Sequence, residues 1–398
     1  MRISTLTMYE QSMSSMNRQQ SGFMHVGLQL SSGRRVVNPS DDPQAASRAV
    51  QVTQAQAVTQ QYTDARVAAR NALSQEESVL NSISDAVASA KTLIIQAASD
   101  TLSDADRASV ASELRGVYET VIGQANVTDG NGRYLFGGYK DASAPFVRRP
   151  DGTVEYVGDT QTRHQQVDAS RLMPVADNGV TLFQSVPSGA GYVAQAEAGN
   201  AGTVTFTGPS VVDIDDPQYG QSFDIQFSVD GENVHYQVNG GAELVYEEGA
   251  TIRFGGLSLS LDGIPADGDG IQVGKAETMN TDLFATFEKA LAVLENPATT
   301  ARDKAARHNT LNTVMRELDN SLDNVLTTRA SVGARLNELD VVDSVAGNRQ
   351  INYQQTLSDL VDLDYYAAIS EYTLRQVGLQ AAQKAFVDIK GMTLFDRL

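Results

Sequence analysis

A sevenfold repeat of apolar residues in the last third of the chain limits its possible folds most strongly. Between positions 311 and 339 apolar residues recur every seven positions, and a second apolar set fills the companion positions. Such a repeat places one apolar stripe along a helix, and Arg329 is the only polar residue that interrupts it. The pattern predicts a long helix in a bundle, with a stripe made of Leu311, Leu318, Val325, Val332 and Leu339 beside Met315, Leu322 and Leu336.

The N-terminal half contains a matching repeat. Asp42 followed by Pro43 has the form of a helix N-cap with proline at the first helical position, so a long helix is predicted to begin there. Ser103 and Asp106 form a predicted capping box for the next helix, which is expected to end near 126. The apolar stripe of the first of these helices is Leu73, Leu80, Val87 and Ile94.

Weaker helical repeats occupy both ends of the chain. Over 4–30 the apolar residues fall at alternating spacings of three and four, with Gln20 and Gly27 in the remaining slots. After Gly347 a new helix is predicted to run to the last residue, and its stripe again repeats every seven positions. A helix with one narrow apolar stripe is marginal alone in water, because most helix stability comes from packing. Each end therefore needs a partner, and the two ends are predicted to meet.

Between these helices the chain has the features of β structure. Asp-Gly and Asn-Gly pairs over 129–132 favour tight hairpin turns, and the stretch to about 274 combines Gly and Pro turns with short alternating runs. The predicted fold class is α+β, with a long helical bundle or coiled coil formed by both chain ends and a β-rich domain inserted in the middle. The predicted domains are terminal helices at 1–40 and 350–398, a helical bundle with a β-hairpin at 41–144 and 276–349, and a β-rich variable outer domain at 145–275.

Composition removes several classes of function. The net charge of −19 argues against nucleic-acid binding, which requires clustered Lys and Arg. Without any Cys there is no disulfide framework and no thiolate site, and no run of 18 apolar residues predicts a membrane span. The four His residues lie far apart, so no metal site, cofactor or enzymatic activity is predicted. A hydrolase or carbohydrate-binding module at 145–275 is kept as a rival, with its only dense carboxylate cluster at Asp213, Asp215 and Asp216.

Several short motifs at the two ends resemble the flagellin family of bacterial flagellar subunits. At the N-terminal side the resemblance lies in 1–5, 29–34 and the Asn-Pro-Ser-Asp-Asp-Pro run at 38–43, followed by Gly-Arg-Tyr-Leu-Phe-Gly-Gly at 132–138. At the C-terminal side it lies in 329–335, 351–364 and 392–396. The motifs stand in the order of the family, and the first and last of them are similar to its hook-filament junction branch.

The resemblance implies a structural role in motility. A family member of this branch joins the hook, through the first hook-associated protein, to the flagellin filament, and the alternative is a filament-forming flagellin. It implies flagellin, the first hook-associated protein and further copies in a ring as partners, together with an export chaperone. It also implies an extracellular location on the flagellum, reached through the flagellar type III apparatus without a cleavable signal peptide.

We expect the subunit contacts to lie on the two terminal stripes. The terminal helices are predicted to be disordered in the free monomer and to form a coiled coil when neighbouring subunits complete their core. The predicted interaction residues are Ile3, Leu6, Met13, Met16, Phe23, Leu30, Tyr365, Tyr372, Leu379, Phe386, Ile389 and Leu394.

Overall fold

The computed structural model describes residues 5–99, 101–231 and 233–391. The chain divides into two compact units. The terminal unit combines Met1–Asp64 with Val341–Leu398, and the central unit is Ala65–Asp340. Within the described residues, no helix combines the length and apolar character that crossing a membrane requires.

The described residues contain seven α-helices, and two of them begin at the predicted caps. The Asp42 carboxylate accepts a hydrogen bond from the Ala45 N–H at 3.0 Å, which caps the helix that begins at Pro43. Ser103 and Asp106 form the predicted capping box of the third helix. The helices are α1 (Thr5–Ser32), α2 (Pro43–Ala97), α3 (Asp104–Ala125), α4 (Gly179–Phe183), α5 (Leu283–Glu295), α6 (Ala301–Val361) and α7 (Tyr365–Gly391).

The prediction of a helix break at Gly347 is wrong. Helix α6 continues through this glycine to Val361, and no atom lies within 4 Å of the position that a Cβ would take there. One glycine costs a helix about 1 kcal/mol, which a helix of 61 residues tolerates. The break occurs instead before Asp364, whose carboxylate accepts hydrogen bonds from the Tyr366 and Ala367 amides at the start of α7.

A short backbone pairing closes the terminal unit beside this break. Arg34, in the loop after α1, forms an antiparallel bridge with Asp362, in the loop after α6. The Arg35 N–H donates to the Val361 carbonyl at 2.8 Å, and the Leu363 N–H donates to the Gly33 carbonyl at 3.0 Å. The two loops therefore fix each other through main-chain groups.

In the central unit the inner apolar stripes form one core. Helices α2 and α6 run antiparallel, as shown by ion pairs from Arg329 to Glu77 and from Arg70 to Asp340. The residues at sevenfold spacing in both predicted stripes are at most 1% exposed and belong to one apolar cluster. These residues are Leu73, Leu80, Val87, Ile94, Leu311, Leu318, Val325, Val332 and Leu339. The companion residues Met315, Leu322 and Leu336 are partly buried and pack against this cluster.

In the part of the chain that the structure describes, twelve strands lie between α3 and α5. β1 pairs with β2 and β3 with β4, a three-stranded sheet has the order β10-β11-β6, and a five-stranded sheet has the order β5-β12-β7-β8-β9. All the pairings are antiparallel. The strands are β1 (Phe146–Arg148), β2 (Val154–Tyr156), β3 (Arg163–Asp168), β4 (Arg171–Ala176), β5 (Tyr192–Ala196), β6 (Thr205–Val211), β7 (Phe223–Asp230), β8 (Asn233–Val238), β9 (Leu244–Val245), β10 (Thr251–Phe254), β11 (Leu257–Asp262) and β12 (Gly270–Lys275).

The strands belong to two different cores. Side chains of β1–β4 and α4, from Phe146 to Phe183, join the apolar core of the helices. From Tyr192 onward the strands enclose a second apolar cluster of their own. The β structure therefore contains one part built onto the bundle and one part with a separate core.

A stripe of polar side chains on α6 binds the edge of this second β region. The Asn309 amide donates to the Val204 carbonyl at 2.9 Å and accepts from the Phe206 N–H at 3.0 Å. Asn312 donates to the Phe206 carbonyl at 2.7 Å, and the Thr313 hydroxyl donates to the Ala194 carbonyl at 2.7 Å. Side chains of a helix here take the place of a neighbouring strand, so that buried backbone groups remain paired.

Candidate functional site

Helices α1 and α7 of the terminal unit pack against each other along their length. The ring centroids of Tyr9 and Phe386 lie 5.2 Å apart, and those of Phe23 and Tyr372 lie 4.6 Å apart. Residues near the start of α1 thus meet residues near the end of α7, so the two helices are antiparallel. The structure brings the two predicted terminal stripes together within a single chain.

Glycines let the two helices approach closely. A Cβ at Gly22 would lie 2.7 Å from the Arg375 guanidinium, and one at Gly27 would lie 3.7 Å from the Tyr372 ring. Gly33 has a φ of 69°, a conformation that side chains with a Cβ rarely adopt, and the Tyr365 hydroxyl lies beside it. Small residues in a helix interface therefore leave room for long side chains of the partner helix.

The predicted interaction residues do not all lie in this contact. Met13 and Tyr365 are exposed, at 39% and 52% of their surface. Ile3 and Leu394 lie outside the described residues, as do the side chains of Leu6 and Ile389. The remaining predicted residues are half-buried: Met16, Phe23, Leu30, Tyr372, Leu379 and Phe386. Their role in contacts between subunits remains a prediction.

Val26 is a buried residue of α1 that the repeat did not identify. It is only 3% exposed, which makes it part of the buried core of the terminal unit. The predicted stripe continued from Phe23 to Gly27, although Val26 lies three residues after Phe23 and four before Leu30. Because both spacings fit a helix face, a preference for the apolar residue over glycine would have found it.

The opposite face of α7 carries large apolar side chains that no part of the described chain covers. Tyr366 is 92% exposed, the highest value for any large apolar residue described. Further exposed apolar residues of this helix are Ile369, Leu374, Val377 and Val387. A row of exposed apolar residues on one helix is typical of a surface that another protein covers.

A groove of about 700 Å³ lies in the same terminal unit. Its walls come from the loop after α1, the first turns of α2 and the last turns of α6. Apolar residues such as Val36, Ala49, Val50 and Val361 line it, and Val50 is 67% exposed. The rim carries opposite charges at Arg34 and Asp362, so the groove has little net charge.

Charge is distributed unequally between the two units. Residues 1–64 and 341–398 contain ten Lys and Arg against eleven Asp and Glu, whereas 65–340 contain twenty against 38. Copies of the acidic central unit repel one another, but copies of the nearly neutral terminal unit do not. Close association of copies is therefore electrostatically easiest through the terminal unit.

Local hydrogen bonding gives two carboxylates a structural role. Asp269, in the Asp-Gly-Asp-Gly run, accepts from the Ala201, Gly202 and Ala266 amides and anchors a turn. The Ala45 amide holds the pKa of the Asp42 carboxyl below its ordinary value, as expected for a helix cap. In the part of the chain that the structure describes, no group of three His, Cys, Asp or Glu residues could hold a metal ion.

A family model for the bacterial flagellin N-terminal helical region matches residues 3–141. Flagellar hook-associated protein 3 of Escherichia coli strain K12 is 37% identical over 396 residues, which is 99% of each chain. The crystal structure of Xanthomonas campestris FlgL has a TM-score of 0.69 and 29% identity, covering 77% of this chain and 99% of that one. The crystal structure of the flagellar junction protein FlgL from Legionella pneumophila has a TM-score of 0.67 and 25% identity, covering 79% and 100%.

These similarities confirm the predicted resemblance to flagellins and the predicted α+β fold class. They also favour the junction branch over filament-forming flagellins, because these relatives are hook-associated or junction proteins. With 37% identity over nearly the whole length of both proteins, the chain belongs to the flagellar hook-associated protein 3 family.

Proposed function

We propose that this chain is a structural subunit that joins the flagellar hook to the filament through its terminal unit. The observation that carries the proposal is the uncovered apolar face of α7, of which Tyr366 and Leu374 are 92% and 73% exposed. A helix pair with such a face gains its remaining stability when neighbouring proteins bury it. The low net charge of the terminal unit supports assembly there.

The proposed partners follow from this role. The first hook-associated protein lies on one side and flagellin on the other, and further copies complete a ring. An export chaperone holds the C-terminal helix before assembly, and the flagellar type III apparatus exports the chain to its extracellular position. A structural role of this kind requires no enzymatic activity, cofactor or metal.

Three parts of the chain have different roles in the proposed function. The terminal helices at 1–40 and 350–398 form the coiled coil on assembly, and 41–144 with 276–349 form the bundle that supports them. The region 145–275 is an outer domain, with an acidic stretch at 201–275 that favours contact with solvent. We expect the terminal helices to be disordered before assembly and protected from hydrogen exchange afterwards.

Deletion of the gene tests the proposed role. Cells without the protein should keep their hooks but release flagellin into the medium as monomers, and the intact gene should restore attached filaments. Cells that keep attached filaments after deletion would contradict the junction role.

Purified protein supplies the second measurement. A filament-forming flagellin polymerises alone into long filaments, whereas a junction subunit should not. Electron microscopy of the concentrated protein, with flagellin prepared in the same way as the control, distinguishes the two.

A further inference from the structure

An exposed aromatic side chain projects from the start of α7. Tyr366 is 92% exposed, and the Asp364 carboxylate accepts hydrogen bonds from the Tyr366 and Ala367 amides at 2.9 and 3.2 Å. These bonds cap the helix and fix the backbone from which the Tyr366 side chain extends. Large aromatic side chains that project from an interface commonly act as anchors in a pocket of the partner.

The groove of the terminal unit has the properties of a receptor for such an anchor. Its volume is about 700 Å³, and Val36, Ala49, Val50 and Val361 give it a mainly apolar lining. Polar side chains of Thr53, Gln54 and Gln354 also line it and could bond a phenol hydroxyl. Aromatic residues that fill a pocket of this kind commonly dominate the energy of an interface.

Tyr366 lies close to the groove in the terminal unit. Tyr366 follows Asp362, which lines the groove, by four residues. The 92% exposure of Tyr366 also shows that it does not occupy the groove of its own chain. In the proposed ring of copies each neighbour carries the same exposed tyrosine, which supplies an aromatic side chain for the groove.

We propose that Tyr366 of one copy inserts into the groove of the next copy in the assembled junction. This inference rests on the proposed junction function and identifies one contact between its copies. The contact is heterologous, because each copy uses its tyrosine on one side and its groove on the other, and such contacts generate rings or helices. The near-neutral charge of the terminal unit permits this approach.

The absence of cysteine allows a direct cross-linking test in flagella of living cells. The double variant Tyr366→Cys with Ala49→Cys is treated with a short bismaleimide cross-linker. On a denaturing gel, the monomer band of the double variant should shift to a ladder of dimers and higher multiples. Neither variant with one cysteine should form the ladder. The matched control pairs Ala49→Cys with Leu374→Cys, an exposed residue about two turns further along α7, and should leave the monomer band unchanged.

Two outcomes would overturn the inference. One is a negative cross-linking result, in which the double variant carries attached filaments but forms no ladder, or the control pair forms a ladder of equal intensity. The other is a photo-activated phenylalanine analogue at position 366 that captures flagellin or another protein in place of a second copy. Since attached filaments are scored in the same cells, a failed contact is distinguishable from a failed junction function.

Discussion

The Phe23 ring of α1 lies 4.6 Å from the Tyr372 ring of α7, measured between centroids. The planes are tilted by 31°, and both residues are half-buried. Phe23 lies nine residues before the end of α1 and Tyr372 seven residues after the start of α7, so the pair reports locally on the contact between the two terminal helices.

We expect Phe23→Ala to weaken the terminal helix pair and the attachment of filaments. Loss of the aromatic contact removes about 0.5–1.5 kcal/mol beyond the effect of the buried area. The measurement is the fraction of cells that keep filaments under shear. Gln20→Ala, an exposed position one turn earlier, should behave as the unchanged protein. Equal shedding by both variants would argue against a specific role for this ring pair.

Gly116→Ala should stabilise the protein. Gly116 lies inside α3, and no atom lies within 4 Å of the position of the new Cβ. Alanine in a helix is favoured over glycine by about 0.5–1 kcal/mol, and nothing here opposes it. The denaturant midpoint should rise by a corresponding amount. As a contrast, Gly137→Ala should lower it, because the Cβ would lie 2.7 Å from the Lys140 carbonyl oxygen.

Glu76→Gln should stabilise the protein at neutral pH. Glu76 is 1% exposed, and burial, together with the nearby negative Asp177, raises its pKa to about 8. One of its oxygens accepts from the Asp177 amide at 3.0 Å, and the other has no hydrogen-bond partner. The folded protein therefore holds this carboxyl protonated at a pH where the unfolded chain ionises it.

The sign of the pH dependence follows from these two states. Because the folded pKa is raised from 4.5 to about 8, the unchanged protein loses stability as pH rises through this window. The advantage of the Gln variant should grow by up to about 1.4 kcal/mol per pH unit within the window and stay constant outside it. Urea unfolding of both proteins at a series of pH values measures this difference in stability. Glu77→Gln is the control, because the exposed ion pair between Glu77 and Arg329 contributes at most about 1 kcal/mol to stability.

Asn309→Ala should destabilise the central unit. The Asn309 side chain is 3% exposed, and its removal leaves the Phe206 N–H and the Val204 carbonyl without their partner. Each buried unpaired group costs about 1–3 kcal/mol. Thermal unfolding should show a lower midpoint, and hydrogen exchange should accelerate at Phe206. Asn337→Ala, at an exposed position of the same helix, should be neutral or slightly stabilising, because alanine is the better helix former.

The sequence by itself determined the helical framework. Sevenfold spacing identified the buried residues of both inner stripes, and cap residues placed the starts of α2 and α3. Local patterns succeed here because helix periodicity and capping depend on residues only a few positions apart. The family motifs, read in order, also identified the branch of flagellar proteins to which the chain belongs.

Only the tertiary structure decided which polar residues are buried and what covers each apolar face. Asn309 meets the backbone of Phe206 across 103 positions of sequence, and nothing in the pattern around either residue indicates that hydrogen bond. Likewise, the terminal stripes predicted two helices that need partners, but not that one face of α7 pairs with α1 while Tyr366 stays exposed. Periodicity shows which side of a helix is apolar, whereas packing between distant segments decides which of those sides remain open.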